Sequence, residues 1–139
     1  MALIFNDKER VGAWVAKQVE QTASWGSFYA MGIEHSGELV AGVVVNNYNG
    51  ANATTHIAVT RPTRELPELL RHVCLYAFRQ CGLKRLTGMV PESKPKVLAF
   101  DKHLGFEEEF VMPCAAADGG ALIILVMWPD KCRWLGDRK

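Results

Sequence analysis

The residues best suited to chemistry gather around one joint of the 139-residue chain. A short β-branched and apolar run, Thr54-Thr55-His56-Ile57-Ala58-Val59, ends in Thr60-Arg61-Pro62-Thr63-Arg64-Glu65, and a helical pattern opens at Leu66-Pro67. The first turn of a helix carries unpaired backbone N–H groups and about half a positive charge, so a strand feeding a helix here makes a seat for an anion. Arg61 and Arg64 would add charge-assisted hydrogen bonds in a geometry suited to phosphate. His56, near the C-terminal end of the strand, titrates in the range needed to take up a proton near neutral pH. A lone strand histidine is more often a hydrogen-bonded structural residue, and both readings stand. Asn46, Asn47 and Tyr48 end the preceding strand, where they could line a site or serve only as turn chemistry. The run Glu107-Glu108-Glu109 could attract a cation or simply be solvated, and Asp118 reads as a turn residue.

Cys74, Cys81, Cys114 and Cys132 form no CxxC pair and no Cys/His cluster with metal-ligand spacing, so no metal site is expected. They read as reduced thiols of a cytoplasmic protein. Cys74 and Cys81 stand on one helix face, a pattern of core packing. The length fits a single domain spanning residues 1–139, and an apolar content of 49% with a net charge of +1 reads as globular. So small a charge argues against bulk binding to nucleic acid or to a membrane surface, and any basic site must be local. No window has the apolar length of a membrane span, and the N-terminus lacks the pattern of a signal peptide.

The elements that must position these residues follow from periodicity. Ala2 to Phe5 reads as a strand, and Asn6 with Glu9 offers a capping box for an amphipathic helix from Asp7 to about Glu20, with Trp14 on its core stripe. Phe28–His35, Glu38–Asn46 and Ala53–Val59 read as an antiparallel meander, its first turn at Ser36-Gly37. Continuous Val43-Val44-Val45 predicts burial on both faces. Leu66, Leu69, Leu70, Val73, Ala77 and Cys81 make a helical stripe ended by Gly82. Leu83–Val90 is the next strand, so strand, helix and strand form a βαβ unit with parallel strands. A helix from about Lys94 to Gly105, a strand from Glu107 to Met112 and an apolar strand from Ala121 to Trp128 complete the chain, with Trp134 and Leu135 pinning the tail. The order β-α-β-β-β-α-β-α-β-β gives an α/β (α+β) domain, a mixed sheet flanked by helices.

This order, with Leu104-Gly105-Phe106 closing the last helix, resembles the GNAT superfamily of N-acetyltransferases over nearly the whole chain. Three stretches make it most similar to the small GNAT-like proteins of tailed bacteriophages: residues 76–87, Phe100-Asp101-Lys102-His103-Leu104-Gly105-Phe106, and Cys132-Arg133-Trp134-Leu135. The resemblance implies acetyl-coenzyme A as cofactor and a primary amine, small or peptidic, as acceptor, with host cytoplasm as the location. It places the cofactor's pyrophosphate on the turn Arg61-Pro62-Thr63-Arg64-Glu65-Leu66, although Arg64 and Leu66 replace the family's usual glycines. Arg61 and Arg64 are then expected to replace lost amide contacts with side-chain ones.

It further implies that Ile57, Ala58 and Val59 pair with the pantetheine arm, and that the parallel strands splay apart at their C-terminal ends to admit it, beside Gly88. Lys94 and Lys96 could reach the phosphates. Asp101 stands where the family has a tyrosine that protonates the leaving thiolate, and a carboxyl can do so near neutral pH only if its pKa is greatly raised. His56 becomes the candidate base, or a substrate contact, with Asn46, Asn47 and Tyr48 at the acceptor site. A catalytically weak protein of the same fold, binding coenzyme A or a host protein as a phage effector, is the alternative reading. A virion accessory protein is a third. Trp128 and Trp134 near the last strand make a homodimer reasonable.

Overall fold

Valine-rich β-branched runs and two apolar helical stripes build a seven-stranded mixed sheet with helices packed on it. The computed structural model describes residues 2–135. In chain order these are β1 (Ala2–Ile4), α1 (Lys8–Gln18), β2 (Phe28–His35), β3 (Glu38–Asn46), β4 (Asn52–Val59), α2 (Leu66–Cys74), β5 (Arg85–Pro91), α3 (Pro95–Leu104), β6 (Glu107–Met112) and β7 (Leu122–Met127). The element order is the one expected, and the fold is GNAT-like. The strands lie in the order β1-β2-β3-β4-β5-β7-β6, all neighbours antiparallel except β4 and β5. Ser36 and Gly37, at φ +53 and +82, make the left-handed two-residue turn that joins β2 to β3.

Alternation along the strands divides the core in two. Met31, Ile33, Val43, Val45, Leu86 and Leu125 face α2, whereas Ala30, Val44 and Ala58 face Val11 and Val15 of α1 and Trp25 of the connector after it. Gly42 allows α1 to lie close, because a Cβ there would stand 2.7 Å from Val15 Cγ2. Trp14 is half-buried at the margin of this second cluster rather than central to it.

Two local expectations are corrected. Asp7, not Asn6, is the N-cap of α1 and makes no side-chain cap bond, so the capping box does not form. Arg10 instead pairs with Glu34 at 2.7 Å, tying the first turn to β2. The predicted helix from Leu66 to Gly82 is α-helical only to Cys74 and continues as a π-helical segment, Leu75–Gln80, with Cys81 N–H donating to Tyr76 O at 2.8 Å. The two tail tryptophans are engaged within the chain. Trp134 Nε1 donates to Leu104 O at 2.6 Å, and the Arg85 guanidinium lies over the Trp128 ring.

Candidate functional site

The site begins where two parallel strands stop pairing. β4 and β5 pair over only three positions, Asn52↔Arg85, Ala53↔Leu86 and Thr54↔Thr87. This end is held shut by side chains. Arg85 Nε donates to Thr87 Oγ1, which donates to Asn52 Oδ1 at 2.7 Å, while the Arg85 guanidinium grips Glu109 at 2.6 and 2.8 Å. Beyond Thr54, β4 keeps pairing with β3 through Val59, and its other edge is left without a strand.

The register says which backbone groups face that gap. Thr60 N–H donates to Val40 O at 2.9 Å, so Ala58 and His56, two and four residues back, also direct their backbone groups to β3. Thr55, Ile57 and Val59 therefore present theirs to the gap, as an added extended chain would require. Of the three residues expected along the cofactor arm, Ile57 and Val59 offer backbone N–H and C=O there, and Ala58 is committed to Gly42. Gly88 is buried on β5 beside the Phe106 ring.

At the mouth, the turn before α2 is built by Thr63. Its hydroxyl accepts from Glu65 N–H at 3.3 Å and donates to Glu65 Oε1 at 2.8 Å, and Leu66 N–H points at Thr63 O at 3.4 Å. Two turn amides are thus engaged internally, and Pro62 and Pro67 have none to offer. A carboxylate in the turn also opposes an incoming anion. Arg61 and Arg64 are both exposed and, among the described residues, make no ion pair or hydrogen bond. Lys94, the N-cap of α3, reaches Glu20 at 3.4 Å, and Lys96 is exposed. The charge available to an anion at this joint therefore resides in the two arginine side chains.

His56 and Asn46 come together on the α1 face as diagonal neighbours, His56 lying opposite Val44 and Asn46 opposite Thr54 across β3 and β4. The His56 Nε2 to Asn46 Oδ1 distance is 3.0 Å, and Asn46 Nδ2 donates to Trp25 O at 3.1 Å. Since Nδ2 is the amide's donor, Oδ1 accepts and His56 carries its proton on Nε2, leaving Nδ1 as the lone-pair nitrogen. The imidazole packs against the Trp25 ring at 4.6 Å, and Trp25 Nε1 donates to Gly12 O at 2.9 Å. Burial lowers the His56 pKa to about 4, so the ring is neutral at pH 7. A base so weak cannot store the proton of an ammonium, but a neutral ring fixed on both sides can orient a substrate. Trp25 was missed by sequence reasoning. Its only signal is a large aromatic in an otherwise polar Gly/Ser connector.

Asn47 and Tyr48 lie in the exposed turn beyond Asn46. Asn47 holds a left-handed φ of +56 with a long 3.5 Å contact to Thr54 Oγ1, and Tyr48 is 59% exposed. The structure does not bring them to His56. The acidic run on β6 is internally paired: Glu109 with Arg85, Glu108 with Lys102 at 2.5 Å, and Glu107 with Lys131 at 3.8 Å. Asp118 accepts from Ser93 Oγ and Gly120 N–H and shapes its turn. A groove of about 470 Å³ between β2 and the π-helical segment, lined by Phe5, Tyr29, His72 and Tyr76, contains none of the predicted site residues.

Asp101 is the residue whose environment most changes its chemistry. It shares a helix face with Leu98 and Leu104, its Oδ1 is buried with no hydrogen-bond partner among the described residues, and burial raises its pKa to about 7. Near neutral pH it holds a proton that an exposed aspartate would have lost. That is the condition under which a carboxyl can replace a phenol as proton donor.

No protein-family model matches the sequence, and no curated protein is significantly similar to it. Solved structures do match in fold, from end to end. A point mutant of spermidine N-acetyltransferase SpeG from Vibrio cholerae superposes with a TM-score of 0.76 at 12% identity, covering 100% of both chains. The dodecameric structure of the Vibrio cholerae enzyme in an intermediate state gives 0.73 at 12% identity, over 99% of this chain and 98% of that one. The same enzyme in complex with manganese ions gives 0.71 at 12% identity, over 94% and 93%. At such identity the likeness is one of fold. Among the described residues no helix is long and apolar enough to cross a membrane.

Proposed function

We propose that the chain is an N-acetyltransferase that transfers the acetyl group of acetyl-coenzyme A to a primary amine by direct attack. The observation that carries this reading is the parting of β4 and β5 after Thr54, which leaves the Ile57 and Val59 backbone open beside a basic turn. That it occurs in a fold shared with N-acetyltransferases adds support. The open strand edge and the two unpaired arginines fit an extended arm ending in a pyrophosphate; the Glu65 carboxylate is the one group in the turn that opposes it.

Acetyl-coenzyme A would supply an acetyl group already activated as a thioester. Arg61 and Arg64 hold its phosphates, with Thr63, Glu65 and Leu66 shaping the turn and Lys94 and Lys96 supplying outlying charge. The N–H of Ile57 or Val59 orients and polarises the carbonyl. His56, kept neutral and oriented by Asn46 and Trp25, would position the acceptor amine, whose proton would be lost to solvent. Asp101, protonated near neutral pH, would be the carboxyl able to supply a proton to a departing thiolate. The acceptor is a primary amine, and Glu107, Glu108 and Glu109, already paired with Lys131, Lys102 and Arg85, are not assigned to its recognition. Action in the host cytoplasm of a phage belongs to the same reading.

The test is a thermal shift with acetyl-coenzyme A followed by thiol release with a panel of amines. A ligand at about a hundred times its Kd adds about 2.7 kcal/mol. No shift at millimolar cofactor would overturn the reading. A shift without thiol release would favour the second reading, a binding protein of the same fold that acts as an effector.

A further inference from the structure

We propose that Cys74 and Cys132 form a redox-active dithiol that closes reversibly to a disulfide on reaction with a small-molecule disulfide. The two residues lie 58 positions apart, at the end of α2 and between the short helical turns Pro129–Lys131 and Arg133–Leu135, yet their sulfurs are 3.3 Å from each other. The tail is held in place without them. Arg71 Nη1 donates to Leu135 O at 2.9 Å, Arg133 Nη2 to His103 O at 2.8 Å, and Trp134 Nε1 to Leu104 O. The sulfurs meet because the backbone around them is independently anchored, so closing the bond asks for little movement.

Their surroundings divide the work. Cys132 is half-buried, and its sulfur is approached by the backbone N–H groups of Trp134 and Leu135, with the Arg133 charge nearby. Cys74 is 2% exposed, against Met127 Sδ at 3.9 Å. With both thiols protonated, Cys132 Sγ donates to Cys74 Sγ and Cys74 Sγ to Met127 Sδ. Once the more exposed Cys132 ionises, the remaining hydrogen belongs on Cys74, which donates to the Cys132 thiolate. That bond and the backbone amides lower the Cys132 pKa to about 7, while burial beside the thiolate pushes Cys74 up. Cys132 is the attacking sulfur and Cys74 the resolving one.

With oxidised glutathione the steps balance. The Cys132 thiolate attacks one sulfur of the glutathione disulfide, forming a mixed disulfide and releasing glutathione thiolate. Cys132 then no longer accepts the Cys74 hydrogen. Cys74 gives its proton to a departing glutathione thiolate and attacks the Cys132 sulfur, releasing the second glutathione. The protein dithiol is oxidised by two electrons and the glutathione disulfide is reduced to two thiols. The bond would pin the tail to α2, the helix whose first turn follows Arg61 and Arg64.

The full-length protein is incubated with oxidised glutathione near pH 7, alkylated in acid and mapped by mass spectrometry. The expected product has lost two hydrogens and yields a peptide joining Cys74 to Cys132, and dithiothreitol reverses it. Cys74→Ala should instead accumulate glutathione on Cys132, and Cys132→Ser should leave Cys74 reduced. Alkylation of Cys132 should show a pH midpoint near 7 rather than the roughly 8.5 of an ordinary thiol. Wild-type protein that keeps a mixed disulfide on Cys132, or leaves both thiols free while Cys114 reacts, overturns the proposal. Neither result depends on whether the chain binds coenzyme A.

Discussion

Replacing Asp101 by asparagine should make the protein progressively more stable than the wild type as pH rises. In the folded chain the Asp101 pKa is raised by burial from 3.8 to about 7. Between those values the folded state holds a proton that the unfolded chain has released, so the favourable contribution is full below about pH 3.8 and is lost as pH rises through about 7. At about 1.4 kcal/mol per pKa unit the whole loss is roughly 4 kcal/mol, of which roughly 3 kcal/mol falls between about pH 5 and pH 8. Asparagine keeps the shape and an oxygen at Oδ1 but has no charge to bury. Its extra N–H donors add a constant offset that does not change with pH.

The assay is chemical denaturation of both proteins at several pH values, reading the difference in unfolding free energy at each. Other titrating groups are common to both proteins and cancel in that difference. His56 in particular acts in the opposite sense, and subtracting the curves removes it. The difference should grow by roughly 3 kcal/mol toward the asparagine variant between about pH 5 and pH 8. A flat difference, with the Asp101 carboxyl carbon titrating in the usual carboxylate range by NMR, would refute the account of its burial. If Asp101 also protonates the leaving sulfur, the variant should lose turnover while acetyl-coenzyme A still shifts its melting temperature.

Changing Arg61 and Arg64 together to alanine should abolish the thermal shift given by acetyl-coenzyme A without lowering the intrinsic melting temperature, because both side chains are exposed; unchanged affinity would mean the turn's backbone suffices. His56 is depressed from 6.5 to about 4, so the unfolded chain binds the extra proton between those values. Wild-type stability should therefore gain up to roughly 3 kcal/mol from His56 as pH rises through that window, and His56→Gln should remove this gain. The same variant should depress turnover with little change in cofactor affinity, and full turnover would take His56 out of the site. Gly42→Ala should cost about 1–3 kcal/mol by overpacking, since its Cβ would lie 2.7 Å from Val15 Cγ2. Adding Val15→Ala should restore part of that loss, and strict additivity in a double-mutant cycle would show that the close approach is not the cause.

What could be read in advance was whatever is encoded locally. Glu38–Asn46 appears as a strand because its valines leave no polar face, and Ser36-Gly37 appears as its turn because few dipeptides accept two left-handed residues. The joint at Arg61 to Leu66 appears because a strand pattern changes to a helical period across it. Chemistry that depends on what lies opposite a residue leaves no such trace. Cys74 ends α2 and is buried while Cys81 lies past the π-helical segment and is half-buried, and the spacing of the two says nothing of Cys132, brought to Cys74 from 58 residues away. Asp101 sits among Leu98 and Leu104 at helical spacing, so its burial was latent in the pattern; only the packed structure shows that none of the described residues reaches Oδ1. The acidic run on β6 misleads for the same reason, since the cations that neutralise it come from β5, α3 and the segment after β7. The arrest of β4–β5 pairing after Thr54 is the furthest from local control. It is set by where β3 and β7 hold the two strands, and the open edge it leaves at Ile57 and Val59 is made of backbone, to which side-chain identity is almost blind.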